Sequence, residues 1–125
     1  MTINLSIYDD NQELLSILDT HFTKDKRFHV QNLVNNVENI ILETEKDRPD
    51  LILLDVSVAN DKLYTIVADI KKLSTNTILV IFTGYNDEIL INKCLASGAD
   101  FVLDKGMPIN ALLDEIENIC QKQKF

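Results

Sequence analysis

The sequence predicts one α/β domain with a doubly wound parallel sheet. Three observations carry that prediction. Apolar residues switch between a strand-like and a helix-like period five times from end to end. The connections between these segments are short, as βα units with helices on both faces require. The length, 125 residues, is that of a single hydrophobic core, typically ~100–150 residues. No repeat, low-complexity stretch or linker interrupts the pattern.

Each element has its own justification. Ile3 to Tyr8 is a short apolar run, and Leu14, Leu15, Leu18 and Phe22 after it share one helix face. Phe28 to Val34 reads as the second strand, followed by helical spacing at Val37, Ile40, Ile41 and Thr44. Leu51 to Val56 is almost wholly aliphatic, as a strand covered on both faces should be. Leu63, Ile66, Val67 and Ile70 form the third helical stripe, and Ile78 to Phe82 the fourth strand. Leu90, Cys94 and Leu95 mark the next helix, ended by Gly98 where a C-terminal residue needs positive φ. Phe101 to Leu103 is a short last strand. Pro108 fits the first turn of the final helix, which carries Ile109, Leu112, Leu113, Ile116 and Cys120.

Composition narrows the function classes. Twelve Lys and Arg against twenty Asp and Glu give a net charge of −8, which argues against a nucleic-acid surface. No apolar run approaches the ~20 residues of a membrane span, and the start lacks a secretory signal pattern. An intracellular, cytoplasmic protein is expected. Cys94 and Cys120 lack zinc-site spacing and fall on apolar helical positions, so both are expected to be buried.

In a doubly wound sheet, ligands bind beyond the carboxyl ends of the strands. There the first strand delivers Asp9-Asp10, the third Asp55, the fourth Thr83 and the fifth Asp104-Lys105. Asp and Thr after strands often serve as caps, a sufficient account of Asp9, Asp10 or Thr83 taken singly. Asp55 is different, because an aliphatic strand carries its charge into the interior. Clustered carboxylates repel one another, and a cation removes that cost. A set rich in carboxylate and free of histidine suits Mg²⁺ rather than zinc. A carboxylate can also act as a nucleophile toward phosphorus. Mg²⁺, Lys105, and either the Thr83 hydroxyl or the Gly84 backbone N–H would then each meet a phosphoryl oxygen. Neither a Walker-type loop nor a G-x-G-x-x-G turn is present.

These residues resemble the receiver domain of two-component response regulators. The resemblance spans the chain. It rests on Ile7-Tyr8-Asp9-Asp10-Asn11, Pro49-Asp50-Leu51-Ile52-Leu53-Leu54-Asp55, Ile81-Phe82-Thr83-Gly84, and Gly98-Ala99-Asp100 leading to Lys105. It implies a flavodoxin-like (βα)5 fold, strand order 2-1-3-4-5, an arrangement known for this family. It also implies that Asp55 accepts a phosphoryl group from the phosphohistidine of a sensor kinase or histidine phosphotransfer protein. Asp10 would ligate Mg²⁺ directly, Asp9 largely through water, and the Ser57 backbone carbonyl would complete the protein ligands, with Asp55 itself. Thr83 and Lys105 would hold the phosphoryl oxygens and report to a downstream partner through the fourth helix, fifth strand and fifth helix. Such a domain catalyses its own phosphorylation and dephosphorylation but acts as a switch. A stand-alone receiver, monomeric or weakly dimeric on phosphorylation, is expected.

Several positions depart from the family pattern. Ala59 and Leu63 stand where a proline and a glycine are usual, so the loop after Asp55 is expected to take another, more mobile path. Val102 replaces the common aromatic toggle, and alternation turns its neighbour Phe101 to the opposite face. Gly106 follows Lys105 in place of a frequent proline, and a trans bond is expected there. These departures leave a degenerate, phosphorylation-independent interaction module as the alternative. An aspartyl phosphatase of the haloacid-dehalogenase type is disfavoured, because Val56-Ser57 follow Asp55 where Asp-x-Asp is needed. His21 and His29 read as surface residues, Tyr64 and Tyr85 as packing or rim residues, and Lys71-Lys72 as a solvated helix face.

Overall fold

The computed structural model describes residues 2–84 and 87–123. Five strands, β1 (Ile3–Tyr8), β2 (Phe28–Val34), β3 (Leu51–Asp55), β4 (Ile78–Thr83) and β5 (Phe101–Asp104), form one parallel sheet. Their order is β2-β1-β3-β4-β5, as expected. The helices between them are α1 (Gln12–Lys24), α2 (Ile40–Asp47), α3 (Leu63–Leu73), α4 (Glu88–Ser97) and α5 (Ile109–Gln123).

Alternation along the strands creates two cores, one on each face of the sheet. Ile3, Leu5, Ile7, Leu51, Leu53, Val80 and Phe82 face α1 and α5, meeting Leu18, Phe22 and Ile116. Ile52, Leu54, Leu79 and Ile81 face α2, α3 and α4, meeting Ile40, Val67, Ile70 and Cys94. β3 is buried along its whole length, which explains its unbroken aliphatic sequence. Phe101 joins the first core and Val102 the second, as alternation predicts. Both cysteines are buried and neither is in a disulfide.

The amino-terminal edge of the sheet is tied by side chains. Asp50 Oδ2 accepts from the Asn4 N–H at 2.9 Å. Asp100 Oδ2 accepts from the Leu79 N–H at 2.8 Å and from Lys71 Nζ at 2.8 Å. Lys71 also donates to the Thr77 carbonyl at 2.7 Å. It is therefore a half-buried structural tie, not half of a solvated pair; only Lys72 is exposed. Gly98 ends α4 at φ 125°, and a Cβ there would meet Lys71 Cγ at 3.1 Å, so backbone and packing both demand glycine.

Three boundaries shift. Pro108 lies just ahead of α5, its carbonyl accepting the Leu112 N–H at 3.0 Å. Val37 precedes α2, and Ile41 turns outward. After Asp55 the chain forms a short helical segment, Val56–Ala59, and a 3-10 turn, Asn60–Lys62. Asn60 takes φ 50°, a region that Asn visits more readily than most residues. Among the described residues no peptide bond is cis, and no helix is long and apolar enough to cross a membrane. Tyr85 lies outside the described residues.

Candidate functional site

The site forms where parallel strands deliver their carboxyl ends to one edge. β1 runs straight into Asp9, which is 1% exposed. Its Oδ1 accepts the Asn11 N–H at 2.9 Å, and Asn11 in turn caps α1 by accepting from the Leu14 N–H. The cap of α1 is therefore Asn11 and not Asp9, which supports the turn ahead of the helix with one oxygen only. Asp10 is exposed at the mouth. Asp55 ends β3 and is 2% exposed. One carboxylate oxygen from each of Asp9, Asp10 and Asp55 lies within 4.8 Å of the others.

Lys105, the first residue after β5, enters from the opposite side. Its Nζ stands 2.8 Å from Asp55 Oδ1 and 2.9 Å from Asp9 Oδ2. Both contacts are ion pairs at charge-assisted hydrogen-bond distance, so one ammonium bridges the two buried acids. Burial opposes the Lys105 charge, but Asp55 and then Asp9 outweigh it and raise its pKa. Asp55 moves upward too. Burial dominates, the Asp9 charge adds to it, and Lys105 and the Ser57 N–H work against it. One ammonium among three carboxylates leaves a surplus of negative charge in a largely buried cleft.

That surplus sets the fit for a cation. Asp55 Oδ2 is buried with no hydrogen-bond partner, and an orphaned carboxylate oxygen is costly in a dry site. Hard oxygen donors grouped this closely suit a hard divalent ion such as Mg²⁺. Ser57 is half-buried beside Asp55.

Thr83 ends β4 and is 3% exposed. Its carbonyl accepts the Lys105 N–H at 3.0 Å, so the two phosphoryl-binding candidates are joined through the backbone. Gly84 is exposed, and an added Cβ would meet nothing within 4 Å. Val102, in the toggle position, is half-buried against the α2–α3–α4 core.

Two features escaped the sequence reading. Asp104 Oδ1 accepts the Gly106 N–H at 2.7 Å, shaping the turn that carries Lys105; the Asp-x-Gly spacing is its signal. Phe82 lies under Lys105, whose Nζ is 5.7 Å from the ring centroid. No local pattern announces that contact, because it joins the ends of two strands.

Comparison with known proteins agrees with the geometry. Residues 5–117 match the response regulator receiver domain model. The chain is 27% identical over 125 residues to protein-glutamate methylesterase/protein-glutamine glutaminase 2 of Methanosarcina acetivorans, covering 98% of this chain and 35% of that protein. It is 24% identical over 119 residues to the transcriptional regulatory protein DegU of Brevibacillus brevis, covering 95% of this chain and 50% of that protein. The chain thus spans half or less of these curated relatives. A CheY-like receiver domain protein from Methanospirillum hungatei superposes with a TM-score of 0.87 at 18% identity, covering 99% of this chain and 98% of the other. A response regulator from Thermotoga maritima gives 0.81 at 20% identity, covering 97% and 99%. At such identities the superpositions speak for the fold alone. The family match over most of the chain speaks for kinship, and this chain belongs to the response regulator receiver domain family of two-component systems.

Proposed function

We propose that this domain is a phosphoacceptor switch, taking a phosphoryl group onto Asp55 from a phosphohistidine donor. The observation that carries the reading is the pairing of buried Asp55 with Lys105 at 2.8 Å, while its second oxygen has no donor. An Asp55 oxygen attacks phosphorus, the bond from phosphorus to the donor imidazole nitrogen breaks, and the nitrogen keeps that electron pair. The product is an acyl phosphate on Asp55. Lys105 would meet the negative charge on a phosphoryl oxygen, and the Thr83 hydroxyl and Gly84 N–H would donate to others.

Asp9, Asp10, Asp55 and the Ser57 carbonyl would hold Mg²⁺, which supplies positive charge against the phosphoryl oxygens and the crowded carboxylates. Asp9 also braces the turn into α1 through Asn11, which fixes the acid pair relative to the sheet. The proposed partners are a sensor histidine kinase or histidine phosphotransfer protein upstream, in the cytoplasm. A downstream protein would read the face formed by α4, β5 and α5. Ile89 and Leu95 of α4 are 71% and 42% exposed on it or beside it. The phosphorylation-independent alternative rests on Ala59, Leu63 and Val102, and the convergence of the acids with Lys105 favours the phosphoacceptor reading over it.

The test is intact mass after incubation with Mg²⁺ and a small acyl-phosphate donor. One phosphoryl group should add to the wild type, and none to Asp55→Asn or to wild type stripped of Mg²⁺ by chelation. A folded wild type that gains nothing at any donor concentration would overturn the proposal.

A further inference from the structure

Lys105 has a third neighbour besides its two carboxylates. Phe82 is the residue before Thr83 in β4 and is 3% exposed. Alternation places it on the α1–α5 face, opposite Thr83, where it packs in the core with Leu18 and Ile116 nearby. β4 and β5 pair Phe82 with Leu103, two residues before Lys105. The same alternation starts the Lys105 side chain on the Phe82 side of the sheet edge. Its ammonium then stands 5.7 Å from the ring centroid while touching Asp55 and Asp9 at 2.8 and 2.9 Å.

A ring face carries negative potential and attracts an ammonium within ~6 Å of its centroid. The lysine side chain here is 22% exposed, so water screens the contact only in part. A flexible four-carbon stem would otherwise let the ammonium swing toward solvent or settle on Asp9 alone. The buried ring cannot follow it, since packing fixes its place.

We propose that Phe82 is a positioning residue for Lys105, its ring face holding the ammonium beside Asp55 before a phosphoryl group arrives. The inference rests on the phosphoacceptor reading above. Asp9 and Asp55 draw the charge toward the acids, and Phe82 limits where along that edge it can rest. Phosphoryl transfer then starts from a charge already in place, which is the condition for electrostatic stabilisation without reorganisation.

The test replaces Phe82 by singly, doubly and triply fluorinated phenylalanine. These keep the ring's shape while progressively withdrawing the negative potential of its face. The phosphorylation rate with an acyl-phosphate donor at saturating Mg²⁺ is followed, with thermal melting as the check on folding. The rate should fall in the order of fluorination, by about three- to tenfold at the last member, the size of a partly desolvated cation–π contact. NMR of the metal-free wild type should show the Lys105 ε-protons shifted upfield by the ring. A merely structural ring would give equal rates across the series. Equal rates, or ε-protons at the position of a free lysine, would overturn the inference while phosphorylation of the wild type still stood. A wild type that accepts no phosphoryl group would bring down both.

Discussion

At the scale of single residues, Asp55 is a compromise between folding and chemistry. Its side chain is buried with one oxygen on Lys105 and one on nothing. Three carboxylates share one ammonium, so ionised Asp55 costs stability in the metal-free domain. Asp55→Asn should therefore stabilise the metal-free protein by about 1–2 kcal/mol at neutral pH, since it leaves a balanced Asp9–Lys105 pair. Urea denaturation measures this, and a less stable Asn variant would count against the crowded-charge account. The acids, Thr83 and Lys105 were legible because each directly follows a strand-like run. Phe82 was not, because its role depends on where the Lys105 side chain goes after β5 has ended.

At the scale of elements, the helices and strands follow the apolar period closely, and departures occur where polar ties replace it. Lys71 reads as a surface charge by position, yet the loop before β4 and Asp100 fold onto it. The helical path after Asp55 was hidden because Val58-Ala59-Asn60-Asp61 contains neither glycine nor proline to mark a turn. Arg27 is the other such tie. It pairs with Asp25 beside it and reaches Asp114 and Glu117 on α5, at 2.6, 2.9 and 2.9 Å. The Arg27 hydrogen bond holds the Asp25 carboxyl below its ordinary pKa. A lowered folded pKa contributes stability above the unfolded value, and that stability is lost as pH falls through the folded one. Arg27→Met should therefore cost about 0.5–1.5 kcal/mol near neutral pH, a modest figure because the cluster is part-exposed. The difference from wild type should shrink in acid. Denaturation at neutral pH and near pH ~3 checks it, and a gap that widens in acid would refute the assignment.

At the scale of the whole molecule, the doubly wound order concentrates chemistry at one end and ties at the other. Asp9, Asp10, Asp55, Thr83 and Lys105 meet at the carboxyl edge, while Asp50, Lys71 and Asp100 close the amino edge. The excess of twenty acids over twelve bases is thereby divided, three carboxylates forming the cleft and Asp50 and Asp100 the opposite seam. That division was half visible beforehand. The strand-end acids stood out, whereas Asp50 and Asp100 were seen only as parts of motifs, because side chains that accept from backbone N–H groups have no sequence period. The central claim is that phosphorylation falls on Asp55 and on no neighbouring acid. Reductive trapping of the phosphorylated protein with borohydride, followed by peptide mapping, reads this directly. Homoserine at position 55, absent without the phosphoryl donor, is the result the account predicts; homoserine at position 9 or 10 instead, or none anywhere, would contradict it.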